Sequence, residues 1–149
     1  MINFESKLNL SKLKHIEMKP QKKLIILGTC LGFTGIILGA FAAHGLENLI
    51  SKDAISTFET GVKYQIYHAL FLVFLSSQNF TTSKMNTTLF WLLLAGVILF
   101  SGSIYGLSTN ALTAFDFKNI AWITPIGGTL LILSWILVLI NVLKKPNNL

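Results

Sequence analysis

Residues 24–43 form a stretch of twenty without a single charged side chain. As a helix it rises about 30 Å, the thickness of one hydrocarbon core. Inside hydrocarbon every backbone amide has to be bonded within the protein, which leaves helices and closed barrels as the spanning structures. Three more apolar runs follow, at residues 62–80, 87–107 and 120–143. The run at 62–80 is the weakest, because its strongly apolar centre is short enough for a re-entrant segment as well. The pattern predicts an all-α fold, an integral membrane four-helix bundle of up-down topology. The predicted division is a basic leader at 1–23, a four-helix transmembrane domain at 24–143 and a basic tail at 144–149. Ser51 is placed to cap a short interfacial helix between helices one and two, with Asp53 in its first turn and Ile55, Phe58 and Val62 on one face.

The first run also faintly resembles processing signals. Ala40-Phe41-Ala42 has the small-residue pattern of a signal-peptidase site, and Leu27-Gly28-Thr29-Cys30 that of a lipoprotein site. A signal h-region is about 7–15 residues long, shorter than this run, and a cut at Cys30 would leave almost no apolar stretch before it. The reading is an uncleaved transmembrane helix.

Only 12% of the chain is charged, about half the share of a soluble domain. All twelve basic residues are Lys, so the bidentate fork of Arg for phosphate or carboxylate is missing. Half of them precede Leu24, and no basic stripe alternates with aromatics, so nucleic acid is not expected as a partner. Leu8, Leu10, Leu13 and Ile16 give the leader weak amphipathicity, and Pro20 ends any helix there. A lone Cys30 within an apolar run forms no internal disulfide and reads as an inert thiol.

Lysine distribution sets the expected orientation. The leader, the turn holding Lys84 and the tail carry nine Lys, and the other two loops with their flanks carry Lys52, Lys63 and Lys118. Both termini are therefore predicted to be cytoplasmic, with an even number of crossings of the cell membrane. The Asn-x-Ser/Thr triplets at Asn9, Asn79 and Asn86 then face the cytoplasm and are not expected to carry glycans.

Gly28, Gly32, Gly35 and Gly39 fall on one side of the first helix, a groove that admits another helix backbone at close range. The helix it admits belongs either to this chain or to a second copy. Gly102 and Gly106, with Ala95, line one face of the third helix and are assigned the same packing role.

Polar residues gather at one end of the predicted bundle. His44 closes helix one, and Tyr64, Gln65 and His68 open helix two. Ser101, Ser103 and Tyr105 lie near the end of helix three, and Thr124 near the start of helix four. Up-down topology puts all of them in the non-cytoplasmic half. Tyr64, Gln65 and His68 share one helical strip, and His68 lies deep enough to mark a candidate intramembrane site. The competing role for it is a neutral histidine that bonds helices together. Either way it is predicted to be buried from lipid and to reach a polar group of another helix, with Ser101, Ser103, Tyr105, Thr124 and the His44 region as candidates. No metal site and no cofactor is expected.

Four segments resemble one known family, the small membrane proteins of domain-of-unknown-function family 423, also called uncharacterised protein family 0382. They are GAFAAHGL (39–46), FETGVKYQIYHAL (58–70), FSGSIYGL (100–107) and ITPIGG (123–128), and they occur in the family's order. The second is the most specific. The family has bacterial inner-membrane members; the resemblance implies four membrane helices and no established activity.

Three classes of function fit a chain of this kind. The first is a structural or accessory membrane protein that packs with itself or with a larger complex. The second is a small-solute permease or solute-binding protein using the polar half-site. Against it, the spans hold no Asp, Glu or Arg to drive coupled transport, and there is no inverted repeat of broken helices. The third is an enzyme or a haem protein with His44 and His68 as axial ligands. The chain has no P-loop, no GxSxG and no paired intramembrane carboxylates, so an enzyme is not expected.

Overall fold

The computed structural model describes residues 18–144. The basic leader up to residue 17 and the basic tail from 145 lie outside the described residues. Within them the chain forms helices α1 (Pro20–Gly45), α2 (Lys52–Ser76), α3 (Ser83–Ser108) and α4 (Ile123–Lys144), with no strand among the described residues. Three of these, α1, α3 and α4, are long and apolar enough to cross a membrane. The fourth, α2, is long enough, but Lys52, Asp53, Glu59 and Lys63 occupy its N-terminal half.

Local chemistry explains the boundaries. Pro20 is the first residue of α1, where its missing N–H has no helical partner to lose. The Ser51 side chain accepts from the Ala54 N–H at 3.2 Å and caps α2, with Asp53 in the first turn. Thr82 caps α3 in the same way through the Met85 N–H at 3.2 Å. The Ser51 cap opens the whole of α2 and not a separate short helix. Nothing between Ser51 and Ser76 breaks the helix, so the predicted interfacial element merges with the second run. Its apolar face turns inward as well: Phe58 is buried with Ala42 and Leu46, and Ile55 and Val62 pack around them.

Two helices contain a widened turn that the sequence pattern does not announce. Phe41–Gly45 ends α1 as a π-turn, and Ile98–Gly102 interrupts α3 as another. Such turns re-aim every side chain that follows them.

Helices α1 and α2 pack in antiparallel register. A Cβ at Gly28 would lie 2.8 Å from the Ala69 carbonyl oxygen, one at Gly35 2.7 Å from Ile66 Cδ1, and one at Gly39 3.5 Å from Val62. The glycine groove of α1 is thus filled by α2 of the same chain. Gly32 is looser, with Ala69 Cβ at 4.0 Å. Gly61 of α2 lies against Tyr105 of α3, Gly96 of α3 against Leu131 of α4, and Gly127 of α4 against the backbone of Leu99 and Phe100. The role predicted for Gly102 is not met, since nothing lies within 4 Å of its added Cβ. Gly106 does make room, but for the ring of Phe117, which opens a short 3-10 turn (Phe117–Ile120) in the following connection, and not for another of the four long helices.

Helix α3 packs against all three others, and α4 rests mainly on α3. The core runs through Leu24, Phe71, Leu72, Leu75, Met85, Leu89, Leu93, Val97 and Leu131. Lipid tails are as apolar as these side chains, so what stabilises the contacts in a bilayer is close packing and interhelical hydrogen bonding.

Candidate functional site

The polar group that joins most helices is Gln65 on α2, only 4% exposed. Its Nε2 donates to the Leu31 carbonyl at 2.9 Å and to Thr34 Oγ1 at 3.0 Å, both on α1. Its Oε1 accepts from the Tyr105 hydroxyl of α3 at 2.8 Å. One amide therefore joins three helices with each of its polar atoms engaged. Gly61, one turn before Gln65, makes this possible: a Cβ there would lie 2.7 Å from Tyr105 Cε1. The Tyr105 ring also packs on Phe58 with centroids 4.5 Å apart.

His68 is buried on the same strip. Its Nδ1 lies 2.7 Å from the Tyr64 carbonyl, and its Nε2 accepts from Trp135 Nε1 of α4 at 3.3 Å. A neutral imidazole protonated on Nδ1 satisfies both contacts at once. The Trp135 indole stacks on Phe71, 3.8 Å between centroids and 7° between planes. The partner of His68 is thus on another helix, but it is none of the predicted candidates.

A third contact joins α3 to α4. Ser103 Oγ lies 2.7 Å from Thr124 Oγ1 and also bonds the Leu99 and Phe100 carbonyls beside the π-turn. Tyr64 is half-exposed, its ring 4.8 Å from that of Phe100 and stacked toward His68. Ser101 is fully buried and its hydroxyl makes no hydrogen bond. His44 is exposed at the end of α1. By the register of α1 against α2, His68 is level with Gly32, twelve residues or about 18 Å along the axis from His44. The two cannot ligate one haem iron.

The predicted residues therefore enter three separate interhelical contacts, Gln65–Tyr105, His68–Trp135 and Ser103–Thr124. Sequence reasoning missed Thr34, the Leu31 carbonyl and Trp135. A signal existed for Trp135: an indole N–H in mid-span needs an acceptor. It also missed Asn86, wholly buried near the start of α3 with neither amide atom hydrogen-bonded. Among the described residues no group of three or more His, Cys, Asp or Glu is placed to hold a metal.

Most of these residues, though not Leu31, Thr34 or Trp135, fall within the stretch 38–128, which matches the family model described as "Protein of unknown function (DUF423)". The chain is 39% identical to the UPF0382 membrane protein YwdK of Bacillus subtilis, over 83% of this chain and 98% of that protein. It is 41% identical to a UPF0382 membrane protein of Haemophilus influenzae, over 78% and 90%, and 42% identical to the UPF0382 membrane protein SSP2132 of Staphylococcus saprophyticus, over 83% and 98%. No solved structure matches the chain.

Proposed function

The chain belongs to the DUF423 family of UPF0382 membrane proteins, and on that premise we propose that it is a structural or accessory membrane component that packs with itself or within a larger membrane complex. It crosses the cell membrane four times with both termini in the cytoplasm. The observation that carries this reading is the state of the Gln65 amide, whose three hydrogen bonds all go to other helices of the same chain. A polar group so engaged fixes helix against helix, with both of its N–H donors and one of its oxygen's two acceptor positions already used. His68 and the Ser103–Thr124 pair are used in the same way.

The alternative, a small-solute permease or solute-binding protein, needs free polar groups around a shared space. The three contacts divide the polar residues among different helix seams, which counts against it. No catalytic role is assigned to His44 or His68. Intact purification in mild detergent, with mass spectrometry of everything bound, tests the reading. The expected result is a stoichiometric protein assembly, either of copies of this chain or with another membrane protein. A monomer carrying a stoichiometric small solute, with thermal stabilisation on adding that solute, would overturn it.

A further inference from the structure

Helix α2 carries a second strip, turned away from α1. Tyr67, Leu70 and Phe74 follow at spacings of three and four and are 57%, 64% and 53% exposed. With Phe71 and Trp135 they line a groove of about 320 Å³ beside α4, open along its outer side. Gly32 lies against Ala69 and Gly35 against Ile66, so Tyr67 is level with the middle of the apolar run at 24–43.

Tyrosine belongs at the membrane–water interface, where its hydroxyl meets water. Here the Tyr67 hydroxyl makes no hydrogen bond among the described residues, at a depth where lipid offers none. The outward faces of α1 and α4 differ. Thr29 on α1 and Thr129 on α4 return their hydroxyls to carbonyls of their own helices, and the remaining exposed side chains there are chiefly aliphatic and aromatic. The cover of the α2 face must therefore supply a hydrogen bond as well as apolar surface. A small molecule in so open a groove leaves much of its own surface outside, unlike a ligand in an enclosed pocket. A second copy supplies both needs. A hydroxyl is donor and acceptor at once, so across a two-fold axis one Tyr67 bonds its counterpart, and an isologous contact needs only this one patch.

We propose that Tyr67, Leu70 and Phe74 form the surface on which a second copy of this chain docks about a two-fold axis beside Tyr67. This rests on the packing role proposed above and names its partner. The test uses the full chain in membranes, with Cys30→Ser removing the native thiol. Under mild oxidation, Leu70→Cys or Phe74→Cys is expected to give at least tenfold more disulfide-linked dimer than Ile36→Cys on the outer face of α1. Tyr67→Phe, which keeps the ring, is expected to weaken the dimer about threefold, with the thermal unfolding of the monomer unchanged. Cross-linking at Leu70 and Phe74 no greater than at Ile36, or a dimer indifferent to Tyr67→Phe, overturns the inference. If that failure comes with a different protein bound stoichiometrically, the packing role stands; if the chain is a monomer without a protein partner, both fall.

Discussion

The Tyr105 hydroxyl donates to Gln65 Oε1 at 2.8 Å across the α2–α3 contact, while the same amide holds α1 through Leu31 and Thr34. Removing one partner leaves the other buried and unpaired, and that asymmetry sets the size of the effect. Tyr105→Phe is expected to destabilise by about 1 kcal/mol, and Gln65→Ala by about 2–3 kcal/mol, because it strips bonds from two seams and leaves a cavity. In a Gln65→Leu background, Tyr105→Phe should cost close to nothing. Unfolding in detergent measures all three, and equal costs for Tyr105→Phe in both backgrounds would show that the bond does not contribute.

The glycines of α1 are not equivalent. A methyl at Gly28 meets the Ala69 carbonyl oxygen at 2.8 Å, and backbone cannot rotate away. At Gly35 it meets Ile66 Cδ1 at 2.7 Å, which a rotamer change relieves only by disturbing its neighbours. Gly28→Ala should therefore cost about 1–3 kcal/mol, and Gly35→Ala somewhat less. Gly32→Ala and Gly102→Ala have room and should be neutral or gain up to about 1 kcal/mol from helix propensity. A thermal-stability series of the four variants that ranks Gly102→Ala as damaging as Gly28→Ala would mean that the groove is not where α1 meets α2.

How far the sequence could be read depends on what kind of signal each feature leaves. The helices were legible because hydrocarbon demands long uncharged runs, and 24–43 and 120–143 stand out for that reason alone. Gln65 and His68 were legible as costly groups that must face protein. Their partners Leu31, Thr34 and Trp135 were not, because they lie on α1 and α4 and periodicity within one helix does not say which residue of another it meets. Thr34 was hidden in plain composition: a threonine between Gly32 and Gly35 reads as a small residue, and only the three-dimensional register shows its hydroxyl beneath Gln65. The unbroken α2 was missed because Glu59, Lys63 and the break at Gly61 look like a loop end, whereas Gly61 is small to admit Tyr105.

Orientation rests on lysines, and it is testable independently of packing. With Cys30→Ser as background, Lys84→Cys in the first turn of α3 and Asn110→Cys in the α3–α4 loop should react with a membrane-impermeant maleimide from opposite sides, Lys84→Cys from the cytoplasm. Helix α3, which joins the two positions, is a single helix of 26 residues, so labelling of both from one side would require it to lie within one leaflet and would sink the four-crossing topology.

The last test separates glue from site at His68. The Trp135 indole is held twice, by its N–H to His68 Nε2 at 3.3 Å and by its stack on Phe71. Trp135→Phe keeps an aromatic ring for the stack while removing the donor and part of a half-exposed ring, so it should cost about 1 kcal/mol. His68→Ala removes the acceptor, the bond to the Tyr64 carbonyl and the buried ring, so about 1–2 kcal/mol is expected. Because Trp135→Phe and His68→Ala delete the same bond, the double variant should cost less than their sum by about 0.6 kcal/mol, the usual size of such a contact between membrane helices. Additive costs would show that the indole and imidazole do not share a hydrogen bond in the membrane. A His68→Ala chain of undiminished stability that loses the response to an added solute would make His68 a ligand-binding residue, and the structural reading of the polar strip would fall with it.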